Sequence, residues 1–151
     1  MSLFVVLKFI HIVAAIVAVG MNISYGIWIG RAGNDPTQTG FAVKTIRFID
    51  NRIANPAYGL LLITGLLMVF TLPVPITTLW IDLALVLWLA LILVGIFAYT
   101  PTLRAQVRLA EAGDVGSAEF GRLNTRGAIL GAVTGVIVFV ILILMVFKPH
   151  L

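Results

Sequence analysis

Apolar positions run almost unbroken through four stretches of the chain: residues 3–29, 56–72, 76–100 and 127–147. A helix needs roughly 20 apolar residues to cross bilayer hydrocarbon, and each stretch comes close to that or exceeds it. The first is interrupted only by Lys8, His11, Asn22 and Ser24, the third only by Asp82, and the fourth carries no charge. Backbone groups in lipid must pair internally, and these runs are too long and too continuous for barrel strands. The pattern therefore predicts an all-α polytopic membrane protein: a single transmembrane domain over residues 1–151, built as a four-helix bundle.

The connections differ in kind. Residues 31–40 are polar and predict a turn region. In residues 41–55, Ala42, Ile46, Ile49 and Ile53 share one helical stripe, while Lys44, Arg47, Asn51 and Asn55 share another. That predicts a short amphipathic helix before helix two, lying on the membrane surface or extending helix two beyond it. Pro56 can kink the junction. Residues 71–78 are apolar, hold Pro73 and Pro75, and predict a tight turn. Thr100-Pro101 suggests a cap with a first-turn proline, or a kink. A polar helical tail follows with Arg104, Arg108 and Glu111, and Gly113 would end it.

Composition agrees. Hydrophobic residues make up 61% and charged residues 11%, against about one quarter charged in soluble domains. Ten Lys/Arg stand against six Asp/Glu. Arg31, Lys44, Arg47 and Arg52 lie between helices one and two, and Arg104, Arg108, Arg122 and Arg126 between helices three and four. A four-span topology puts both groups on one side, which the positive-inside rule assigns to the cytoplasm. The expectation is an inner-membrane, multi-pass protein with both termini outside the cytoplasm. Topology accounts for the basic excess, so no nucleic-acid partner is expected. The N-terminus has no basic n-region and is read as a retained first helix. With no cysteine, disulfides, thiolate nucleophiles, iron–sulfur clusters and thiolate zinc sites are excluded.

Ionisable groups inside a span are costly, so Lys8, His11 and Asp82 are candidate site residues. Lys8 and His11 share a helix face. His11 and Asp82 lie at similar depths, about 9–12 Å from the outer ends of helices one and three. If those helices touch, the three groups can meet as a cofactor-holding or proton-relaying site, or simply as a clamp between helices. His11 could also ligate haem iron. Met68 and Met145 lie at a compatible depth for a second ligand, whereas His150 falls outside the span.

A second polar group gathers at the other end: Asn22, Ser24, Tyr25, Asp50, Arg52, Asn55, Tyr99, Arg122, Asn124 and Arg126. It could hold an anionic head group or act as ordinary interfacial anchoring. Gly127, Gly131 and Gly135 make a small-residue face on helix four, echoed by Gly26 and Gly30 on helix one. Such faces let a second helix approach, from the same chain or from another copy or membrane partner. Trp28 and Trp80 suit an aromatic belt. No hydrolytic triad, phosphate loop or zinc motif is present.

Four stretches stand out in order along the chain: LKFIH (residues 7–11), RFIDNRIANPAYGLLLITG (47–65), FGRLN (120–124) and VFKPH (146–150). In these the chain resembles the superfamily of small four-helix membrane proteins that includes the HemJ-type protoporphyrinogen oxidases and the CopD-type copper-resistance proteins. The resemblance implies haem b bound through His11, with Arg122 and Asn124 as further cofactor-site residues beside Lys8 and Asp82. Where the oxidase pattern has a tryptophan this chain has Ala18, helix one ends in SYGIWIGR without the family's proline, and Asp82 stands near the place of a helix-three lysine. The branch of predicted integral membrane proteins fits more closely. Two functions stay open: a haem-binding, redox-linked membrane protein, or a non-catalytic accessory subunit of a membrane complex.

Overall fold

The structure is a computed structural model that describes residues 2–33, 35–71 and 78–149. The expected turn at Pro73 and Pro75, the first residues of the third apolar stretch, and His150 lie outside the described residues. Four long helices carry the fold: α1 (Leu3–Ala32), α2 (Pro36–Thr71), α3 (Leu79–Glu111) and α4 (Ala118–Phe147). All four are long and apolar enough to span a membrane. At 1.5 Å per residue, α1 is about 45 Å long, longer than the roughly 30 Å of bilayer hydrocarbon. The end where α1 meets α2 and α3 meets α4 carries most of the Lys and Arg residues and is called the basic end below.

Each helix reaches further toward that end than apolarity alone indicates. The expected amphipathic segment is the first half of α2, continuous with the span. Its start is fixed by Asp35, whose carboxylate accepts the backbone N–H groups of Thr37 (2.8 Å) and Gln38 (3.3 Å), with Pro36 in the first turn. This N-cap satisfies donors that a helix start leaves open. The expected polar turn over 31–40 is thus reduced to a few residues. Ser117 caps α4 by accepting from Phe120 N at 3.1 Å, so α4 begins well before residue 127. The α3 tail ends with Gly113 at φ +82°, and Asp114 N donates back to Leu109 O at 2.9 Å, as αL helix terminators do.

Both internal prolines are absorbed by π-helical turns rather than by breaks. One turn covers Asp50–Ala54 and the other Gly95–Tyr99, just ahead of Pro56 and Pro101. Asn55 N bonds Asp50 O and Thr100 N bonds Gly95 O, five residues back. A proline ring collides with the carbonyl four residues earlier. Those carbonyls belong to Arg52 and Phe97, both inside the widened turns, so each turn makes room and the helix continues.

The helices form two hairpins. α1 runs beside α2, and α3 beside α4, while α1 and α4 touch only lightly. No Cα of α1 comes within 8 Å of one in α3. The tight core lies at the basic end. There Tyr25, Ile46 and Leu103 form one buried cluster, and Val43, Val107 and Phe120 form another. Along α4 into the apolar span the hairpins separate: a Cβ added at Gly131 or Gly135 would meet nothing within 4 Å, nor would one at Gly26 or Gly30 on the facing side of α1, and only Gly127 packs closely, against Gln106 and Thr102. The small-residue faces therefore line an opening instead of a helix–helix seam.

Candidate functional site

His11 faces α2, not α3. Its Nδ1 lies 2.8 Å from Thr64 Oγ1. The Thr64 hydroxyl has one hydrogen, and its oxygen sits 2.7 Å from Leu60 O and 3.3 Å from Leu61 O. With that hydrogen given to the backbone, Thr64 can only accept from His11. Nδ1 therefore carries the proton and Nε2 keeps its lone pair. Gly65 makes room for the ring: a Cβ there would lie 3.2 Å from His11 Cε1.

The other two intramembrane charges do not join it. Lys8 and Asp82 are exposed, and Asp82 belongs to α3, which stays away from α1 in the spans. The conditional meeting of the three groups fails because the chain pairs its helices as hairpins. Among the described residues, no group of three or more His, Cys, Asp or Glu side chains could hold a metal ion. Trp80 is buried and carries Lys148 over its ring, 5.6 Å from the centroid, while Trp28 packs on Phe41 with centroids 6.2 Å apart.

The second polar group does assemble. Asp50, 6% exposed, opens the first π-helical turn. It accepts from Tyr25 OH at 3.4 Å and from Asn55 Nδ2 at 3.2 Å. Asn22 Nδ2 donates to Tyr58 OH at 3.0 Å. Gln106 Nε2 donates to Asn124 Oδ1 at 3.5 Å. Tyr99 closes the second π-helical turn and packs against the Tyr25 cluster. Arg52, Arg122 and Arg126 remain exposed and stand apart from this network. Ser24 turns back onto its own helix, 2.6 Å from Met21 O.

This network forms the floor of a cleft of about 590 Å³ between the hairpins. Asn22, Tyr25, Tyr58, Tyr99, Gln106 and Asn124 line its polar end. Gly131, Gly135, Val138, Phe139 and Leu142 carry it along α4 into the apolar zone. No lining residue is charged. Gln106 is 6% exposed, and its Oε1 accepts no hydrogen bond from any described residue. The one enclosed side-chain atom without a partner among the described residues is Trp88 Nε1, so Gln106 Oε1 opens on the cleft, where a bound molecule can donate to it.

Sequence reasoning placed Asn22, Tyr25, Tyr99 and Asn124 in this region but missed Tyr58, Gln106 and Thr64. Gln106 was legible as a buried position only once α3 was known to continue helically from the span. Thr64 was masked because a lone threonine in an apolar run usually bonds its own helix backbone, which it also does here.

The Predicted integral membrane protein (DUF2269) family model matches residues 5–149. No curated protein and no solved structure matches.

Proposed function

Because the chain belongs to that family of predicted integral membrane proteins, we propose that it binds an uncharged amphipathic molecule drawn from the bilayer. The cleft between the hairpins is the site. Its volume falls within the roughly 300–1,000 Å³ range of small-molecule pockets. The observation that carries the reading is the cleft's lining: an apolar opening whose polar end holds only neutral side chains, Asn22, Tyr58, Tyr99, Gln106 and Asn124 among them. The neutral lining selects against a charged head group, because an ion here would lose its hydration without a counter-charge. A carbonyl or hydroxyl head meets Gln106, Asn124 and Tyr99, while its tail lies along the glycine face of α4.

Decylubiquinone is a suitable probe, with neutral ring carbonyls and an alkyl tail. Titrated into detergent-purified protein, it should raise the thermal unfolding temperature saturably. Gly131→Leu places a side chain into the cleft where nothing lies within 4 Å, so the fold survives and the shift disappears. Gln106→Leu should weaken the shift. Equal shifts in wild type and Gly131→Leu would place the probe elsewhere and overturn the reading.

A second reading attaches to His11. With the Thr64 hydrogen on its own helix backbone, a proton on Nδ1 facing Thr64 is the tautomer that leaves Nε2 to ligate iron. The resemblance to the HemJ-type oxidases associates this histidine with haem b, which would supply one-electron redox chemistry. The donor chemistry fits one axial position, and Lys8 and Asp82 do not accompany it. Absorption spectra of protein expressed with haem precursor, oxidised and dithionite-reduced, test the reading. A Soret band retained in His11→Ala would sink it. His11 does not line the cleft, so the two readings stand or fall separately.

A further inference from the structure

Arginines and lysines gather at the basic end, and topology explains their number but not their arrangement. Lys44, Arg47 and Arg52 of α2 face Arg104 and Arg108 of α3 across a groove of about 550 Å³. Glu111 is the single acidic residue lining it. None of these six side chains makes an ion pair among the described residues. Arg31, Arg122 and Arg126 lie toward the same end and do not line the groove. The gathering therefore follows from how α2 and α3 pack, since they meet only in their polar halves.

The groove is rigidly founded. Val107 forms part of its floor and belongs to the buried cluster with Val43 and Phe120. The helices cannot spread to relieve repulsion without opening that core. Five cations against one carboxylate, held on a fixed floor, leave a strong positive field. Guanidinium groups offer paired N–H donors that match the oxygens of a phosphate. Phe48, also lining the groove, is 62% exposed.

We propose that this groove is a binding site for a phosphate-bearing anion at the membrane surface, separate from the neutral cleft between the hairpins. The phosphate can come from an acidic phospholipid head group or from a soluble phosphate compound. Both present the same oxygens to Arg47, Arg104 and Arg108.

The test uses full-length protein and two double variants of equal charge change. Arg104→Gln/Arg108→Gln removes two groove residues, and Arg122→Gln/Arg126→Gln removes two that lie outside it; all four arginines are exposed, so neither change cuts into the core. Retention of phosphatidylglycerol is read by native mass spectrometry after exchange from mixed phosphatidylcholine–phosphatidylglycerol nanodiscs. Pyrophosphate binding is read by titration in a neutral detergent. The groove variant should bind about tenfold or more weakly, the scale of one lost charge-assisted hydrogen bond. The control variant should bind as wild type does. Phosphatidylglycerol retention without pyrophosphate binding assigns a lipid source, and pyrophosphate binding that displaces the lipid assigns a soluble one. Equal weakening in both variants, or no binding of either probe to wild type, overturns the proposal.

Discussion

His11 Nδ1 and Thr64 Oγ1 lie 2.8 Å apart across the α1–α2 interface, joining the first two helices by a side-chain hydrogen bond inside the spans. Hydrogen bonds between membrane helices average about 0.6 kcal/mol and reach about 1.7. Thr64→Val keeps the shape and removes the acceptor, so it should lower stability by about 0.5–1.5 kcal/mol. It should also release the tautomer. Nitrogen chemical shifts of labelled His11 should move from protonated Nδ1 toward a mixed state. An unchanged pattern would mean that Thr64 does not hold the proton there.

Gly65 makes a separate demand on the same ring. Gly65→Ala puts a methyl 3.2 Å from His11 Cε1, closer than normal contact. The ring must tilt by a few tenths of an ångström, which lengthens the bond to Thr64. The variant should show the same nitrogen shift as Thr64→Val, although its own helix propensity improves. A wild-type shift in Gly65→Ala would show that the ring has slack the structure does not indicate.

The spans were legible because lipid demands one thing of sequence, a long apolar run, and the four runs are plain. What lay beyond them was not. Asp35-Pro36 and Ser117 are ordinary capping signals, yet they sit in polar stretches that read as loop, so the helix extending α2 is expected from residue 41, not 36, and helix four from residue 127, not 118. Pro56 suggests a kink and Thr100-Pro101 a cap or a kink, and at both the helix instead continues through a widened turn. A local clash rule says that something must give, but only the neighbouring packing decides how. The Lys8, His11 and Asp82 grouping depended on helix adjacency, which depth along a helix does not encode. Asp50, Tyr25 and Asn55 were placed in one region correctly, because all three lie at one end of their helices.

Asp50 should matter to stability more than any exposed acid. Asp50→Ala leaves Tyr25 OH without its acceptor in a buried place, and removes the acceptor of the more exposed Asn55 Nδ2. The expected loss is about 1–3 kcal/mol. Asp50→Asn keeps an acceptor oxygen and should lose less. Chemical unfolding in detergent micelles orders the three proteins. If Asp50→Ala proves as stable as wild type, the network is not sharing its bonds as described.

Asp35 gives a pH dependence with a definite sign. The backbone N–H of Gln38, its side-chain amide and the backbone N–H of Thr37 hold its carboxyl below the usual 3.8. A lowered folded-state pKa means that the cap stabilises the folded protein above the unfolded pKa and is lost as pH falls through the folded value. Amide proton shifts of Thr37 and Gln38 should titrate together with a midpoint below 3.8, and the titration should vanish in Asp35→Ala. A midpoint at or above that value would mean that the carboxylate makes no capping bonds.

Stability should be unevenly distributed along the helices, with the basic end holding most of it. Ile46 is 2% exposed within the cluster with Tyr25 and Leu103. Ile46→Ala should cost about 2–5 kcal/mol, the range for large-to-small core changes. Ile16, in the middle of α1, is 68% exposed, facing what the spans assign to lipid, and Ile16→Ala should change stability by about 0.5 kcal/mol or less. The hairpins separate in the spans, so side chains there that face neither hairpin partner have no protein neighbours to lose. If Ile16→Ala destabilised the purified protein as much as Ile46→Ala, that face would be covered by another protein surface. The separation of the hairpins would then describe only the isolated chain.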